Sequence, residues 1–172
     1  MITSAFRSFL LLAILSIVGG CQSRSEKAAL YNDRLIDQQI YVLEALNELD
    51  SSLNHMDTQR MAEAYQILQG RLKESLWSIE VIGDFDGDPQ LKEATKDLLE
   101  GYDGIVAGPY HELIQLIDLP DSMFTPQQQL RAFEVEDQII EGVKDLHQSF
   151  SKKQQSFGEK YKLIFEEDPQ DS

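Results

Sequence analysis

Cys21 is the only cysteine in the chain. As a thiolate it would be the strongest nucleophile the sequence offers. It follows Gly19 and Gly20, whose minimal side chains leave the backbone open to a peptidase. Gly20-Cys21 is therefore a candidate cleavage bond, and the Cys21 thiol a candidate for acylation. A second chemical candidate is Asp84-Phe85-Asp86-Gly87-Asp88, where carboxylates at alternate positions supply the hard oxygen ligands that calcium takes. The register fails, because in an EF-hand counted from Asp84 the turn glycine falls on Pro89 and the bidentate glutamate on Thr95. The stretch reads as an acidic connector whose last residue caps the next helix, leaving Asp84, Asp86 and Asp88 as a weak metal candidate.

The remaining chemistry is sparse. His55, His111 and His147 do not stand at the Glu-x-x-His spacing of di-iron bundles, and no Cys-x-x-Cys-His run exists for haem. His147 falls in an apolar column and reads as a core histidine. With no serine or cysteine nucleophile motif, these residues point to a non-enzyme that needs no cofactor. Binding is better supplied. Asn32 and Gln39 fall on the inward arc of the first helical stretch and Gln154 on that of the last. Buried amides demand partners, so the three are expected either as a polar layer fixing helix register or as the lining of a small-ligand pocket. Gly70, Trp77 and Val81 lie on the far side of the second helix from its apolar stripe. They are expected either buried under the last helix or a loop, or as a docking patch for a protein partner.

The elements that carry these residues begin with a segment to set aside. Arg7 precedes a continuous apolar run, Phe9 to Val18, interrupted only by Ser16. A membrane-crossing helix needs roughly 18 such residues, so the run reads as the hydrophobic region of a secretion signal. Val18-Gly19-Gly20-Cys21 resembles the lipobox of bacterial lipoproteins. The resemblance implies that residues 1–20 are a signal peptide, that Cys21 becomes the acylated first residue, and that acyl chains hold the protein to a membrane. Gln22 stands where an aspartate would imply retention in the inner membrane, so the implied address is the outer membrane of a Gram-negative cell. The alternative reading of the same residues is a short core helix with a buried cysteine.

Beyond Cys21 there is no cysteine, so stability must come from packing. The formal charge is −15, one unit more negative once Arg7 leaves with the signal. That balance opposes nucleic acid and anionic headgroups. Ala28, Leu35, Val42, Leu49 and Met56 recur every seven residues, joined by Leu46 and Leu53, the spacing of an amphipathic helix. Met61 to Ile82 carries a second stripe after Asp57 as N-cap. A third helix is expected from Asp88 and Pro89 to Leu116, with a kink or break near Gly108-Pro109. Thr125-Pro126-Gln127-Gln128 is a capping-box pattern, opening a long helix whose column Phe133, Ile140, His147, Gln154 and Tyr161 is expected in the core.

These four patterns predict an all-α protein, an antiparallel four-helix bundle over residues 28–166, behind a lipidated tether at 21–27 and ahead of an acidic tail at 167–172. Tyr31-Asn32-Asp33 with Gln38-Gln39 behind a lipobox resembles small helical surface or outer-membrane lipoproteins of diderm bacteria, which implies location alone. Phe124-Thr125-Pro126-Gln127-Gln128 is similar to the Leu-Thr-x-x-Gln motif of helical periplasmic stress chaperones. The functional expectation is a lipid-anchored envelope protein that binds or scaffolds. A chaperone-like stress protein and a small-ligand or metal carrier stand as alternatives.

Overall fold

The computed structural model describes residues 23–120 and 122–163. The expected signal peptide, the candidate Gly20-Cys21 cleavage bond and the expected acidic tail lie outside the described residues. Within them the chain is all-helical. It contains α1 (Arg24–Asn54), α2 (Thr58–Val81), α3 (Gln90–Ile105), α4 (His111–Ile117) and α5 (Pro126–Tyr161), with a π-helical turn (Val106–Tyr110) joining α3 to α4.

Local chemistry sets the helix starts. The Ser23 hydroxyl accepts from the Glu26 N–H at 3.1 Å while the Ser23 N–H donates to the Glu26 carboxylate at 2.7 Å, a complete capping box. Helix α1 therefore begins at Arg24, and residues 24–27 of the expected tether are its first turn. The Asp57 carboxylate accepts from the Arg60 N–H at 3.1 Å. The Thr125–Gln128 box opens α5, with Pro126 in its first turn. At α3 the cap residue is Pro89, one position later than expected, and Asp88 reaches over it to accept from the Gln90 N–H at 3.1 Å.

The kink or break expected near Gly108-Pro109 takes the form of a π-helical irregularity at Val106–Tyr110 and not of a chain break. Pro109 has no N–H to offer the preceding turn, and the backbone accommodates this by widening to a π turn through which the helix continues into α4. The widening changes the angular position of the residues beyond it, and Tyr110 faces inward, 3% exposed.

Helix α1 packs along α2, α2 along α3, and α3 along α5, whereas α1 meets α5 over only a short stretch. Leu35, Leu49, Leu68, Leu72, Ile79, Leu91, Leu99 and Phe157 fill the shared interior at zero exposure. The long-helix column turns out differently from expectation. Tyr161 is buried and Gln154 half-buried, but His147 is exposed, Phe133 is 55% exposed and Ile140 64%. A straight helix drifts about 20° per heptad against a seven-residue repeat. Over four heptads the column walks from the core at Tyr161 to the exposed surface at Phe133, while Val135 and Ile139 take the inward positions.

Candidate functional site

The fold leaves a seam open between α1 and α5. One end is shut. The Gln154 amide donates to the Asn32 side-chain oxygen at 2.9 Å, and the Ser25 hydroxyl donates to the Lys162 carbonyl at 3.0 Å. Toward the C-terminus of α1 a groove of about 540 Å³ opens, walled by Leu46 and Leu53 on one side and Ile139, Ile140 and Val143 on the other. Its floor is Tyr110 and Leu113 from the far side of the π turn. A second hollow of about 590 Å³ follows along the same seam, lined by Ile36, Gln39, His147 and Gln154.

Polar groups punctuate the seam. Asn32 and Gln39 are each 7% exposed, as the inward reading expects. Asn32 pairs with Gln154, so two of the three amides form the polar layer. Gln39 does not join it: its Nε2 is buried with no hydrogen-bond partner among the described residues. A buried donor left unpaired costs about 1–3 kcal/mol, which makes Gln39 a feature the fold carries at a loss. The His147 Nε2 pairs with the Tyr102 hydroxyl, so the histidine expected in the core instead sits at the surface over a buried tyrosine. Burial pushes the Tyr102 hydroxyl up to about 12.

Deeper in the groove, the Tyr110 hydroxyl donates to the Asp50 carboxylate at 2.7 Å. Burial pushes the Asp50 carboxyl up, against the lowering effect of that hydrogen bond. The same pairing, with burial first, drives the Tyr110 hydroxyl far above its ordinary value. Glu136 and Lys144 reach the rim from α5. Sequence reasoning missed Asp50 and Tyr110, which lie 60 residues apart and share no motif. The one signal was the spacing of Tyr110 four residues after Val106 and three before Leu113, all of them buried.

The acidic connector is engaged elsewhere. Asp86 and Gly87 have φ of 52° and 78°, and Phe85 and Asp88 exchange both backbone hydrogen bonds at 3.2 and 2.8 Å. These are the marks of the Asp-Gly turn that demands positive φ at both central residues. Each carboxylate faces its own cation: Asp84 with Lys92 at 2.6 Å, Asp86 with Arg24 at 2.9 Å, and Asp88 with Lys160 at 2.6 Å. The three thus point at three partners rather than at one centre, and no group of His, Cys, Asp or Glu placed to hold a metal occurs among the described residues.

Trp77 and Val81 are 70% and 66% exposed, so nothing among the described residues covers them, and the expectation of burial under the last helix does not hold. They border a shallow hollow against α1 at Gln38. Gly70 is half-buried, and a Cβ there would meet nothing within 4 Å. His55 caps the end of α1, and His111 contacts the Tyr65 ring at 5.9 Å. No helix among the described residues is long and apolar enough to cross a membrane. Compared with known proteins, the chain matches no family model, no curated protein and no solved structure.

Proposed function

We propose that this chain is an exported, lipid-anchored envelope protein, an antiparallel four-helix bundle that holds an elongated amphiphile in the α1–α5 seam. Cross-helix partners support the bundle arrangement. Residue numbers rise on one helix as they fall on the next in Gln38 with Ser75 and Glu48 with Arg60, and again in Tyr102 with His147 and Glu112 with Arg131. Counting the α3–α4 rod as one helix gives four. The lipobox-like Val18-Gly19-Gly20-Cys21 supports export and acylation at Cys21, with the outer membrane as the address, and two or three acyl chains give a stable anchor.

The observation that carries the binding reading is the open seam itself. Ile140, whose spacing suits a core, stands 64% exposed along it. The groove volume falls within the range of small-molecule sites, about 300–1,000 Å³, and its walls are apolar with few polar groups. An apolar chain lying on Leu53, Ile140 and Val143 would cover surface that is otherwise wet, at about 25 cal/mol per Å².

Titration of the soluble body with decyl maltoside below its micelle concentration, monitored by methyl NMR, tests this. Saturable shifts confined to the methyls of Leu46, Ile139, Ile140 and Val143 are expected, and Val143→Trp, which fills the groove, abolishes them. Shifts scattered over the surface, or none, would sink the reading. Separately, native protein in its host incorporates labelled palmitate and Cys21→Ser does not. A native form without label removes the anchor and leaves the groove untouched. A second reading, docking of a protein partner, draws its support from the uncovered Trp77.

A further inference from the structure

We infer that the α1–α5 groove selects an amphiphile with a cationic head, an ammonium carried on an apolar body, and that Asp50 is the group that receives it. This deepens the binding reading above and rests on it. Asp50 is the one carboxylate that α1 turns into the groove. Its only hydrogen-bond donor among the described residues is the Tyr110 hydroxyl at 2.7 Å, and no lysine, arginine or histidine lies within 4.0 Å of it. The connector carboxylates Asp84, Asp86 and Asp88 each have a basic partner. Asp50, half-buried, has none.

A carboxylate in apolar surroundings without a counter-ion costs free energy, which a cation arriving from solution relieves. Burial pushes the Asp50 carboxyl up, so its charged form is disfavoured where it stands. The surroundings match an apolar tail beside that head: Leu46 and Leu53 lie one turn to either side of Asp50 on α1, and Leu113 lies beneath. The other charges at the groove are Glu136 and Lys144 on α5. Glu136 adds to the attraction for a cation. Lys144, which forms no ion pair among the described residues, is the one feature that would favour an anion.

The test is a matched set of probes with one chain and three heads: decyltrimethylammonium, decanoate and decyl maltoside, each below its micelle concentration, titrated into the native soluble body by methyl NMR. The cationic probe is expected to bind about 10-fold more tightly than either of the others. Asp50→Asn keeps an acceptor for Tyr110 and removes the charge, so it folds and lowers the affinity for decyltrimethylammonium about 10-fold while leaving decyl maltoside unchanged. Glu63→Gln, on the exposed face of α2, removes the same charge away from the groove and leaves all three unchanged. Equal affinities, a preference for decanoate, or an equal loss in the Asp50 and Glu63 variants would overturn the inference while the maltoside result keeps the groove. Failure of all three probes to bind would overturn both.

Discussion

Replacing Phe157 by alanine lowers the free energy of unfolding by about 3–5 kcal/mol, the usual cost of emptying a fully buried phenylalanine site. Phe157 has zero exposure, and its ring centroid lies 5.9 Å from Tyr31 on α1, 5.7 Å from Phe85 in the connector and 4.6 Å from Tyr161. Phe85 in turn meets Tyr31 at 5.3 Å and Tyr161 edge-on at 4.8 Å. Such pairs add roughly 0.5–1.5 kcal/mol beyond burial, and here they tie α1, α5 and the α2–α3 connector at one point. Urea unfolding monitored by circular dichroism measures the loss, with Ile140→Ala as the comparison. Ile140 belongs to the same expected column yet is 64% exposed, so its truncation should cost within about 0.5 kcal/mol. Similar losses in the two variants would mean that the seam is closed in solution and that the groove does not exist.

That contrast marks where sequence reading stops. Periodicity identifies which residues share a helix face, because side-chain direction repeats with the 3.6-residue helical period. It does not say whether a neighbouring helix closes on that face. Phe133, Ile140, His147 and Tyr161 form one column in the sequence, but the drift of a straight helix against a sevenfold repeat puts only the last of these in the core. Local signals are more informative. Thr125–Gln128 and Asp57 mark helix starts because capping is a contact between residues three apart. Ser23 with Glu26 carries the same signature, hidden by its place in the expected tether. Asn32 and Gln39 are legible as inward amides from their spacing of seven. That one finds Gln154 and the other finds nothing depends on where α5 passes, which no local pattern encodes. Asp50 with Tyr110 is the extreme case, since the pairing joins residues 60 apart that meet only where the helices pack.

At the connector, Asp88→Ala should cost about 2–4 kcal/mol, and the cost should shrink in acid. The carboxylate is 8% exposed and fully used. One oxygen accepts from the Gln90 N–H at 3.1 Å, and the other accepts from Lys160 at 2.6 Å and from the Tyr161 hydroxyl at 3.0 Å. Alanine removes a helix cap, worth about 0.5–2 kcal/mol. It also leaves the buried Tyr161 hydroxyl without its acceptor, at about 1–3 kcal/mol. Burial raises the Asp88 carboxyl, but the hydrogen bonds from Lys160, Gln90 and Tyr161 and the Lys160 charge outweigh it and hold the carboxyl below its ordinary value. A group depressed in the folded state contributes stability above its unfolded value, about 3.9, and loses it as the pH falls through the folded value. The stability gap between native and variant should therefore be full at pH 7 and narrow below about pH 4. A gap unchanged at about pH 3 would assign the effect to packing alone. Asp50 has the opposite sign: raised by burial, its charge weakens the fold above its folded value and ceases to do so once protonated. The two carboxylates stand at opposite ends of α1, whose residues 24 and 50 are about 39 Å apart at 1.5 Å per residue. At one end the carboxylate has a basic partner and two further donors; at the other, Asp50 has the Tyr110 hydroxyl alone. Asp88→Ala is accordingly expected to weaken the bundle and leave groove affinity for decyl maltoside unchanged well below the melting temperature. A matching loss of affinity would show that the groove takes its shape from the Asp88 end.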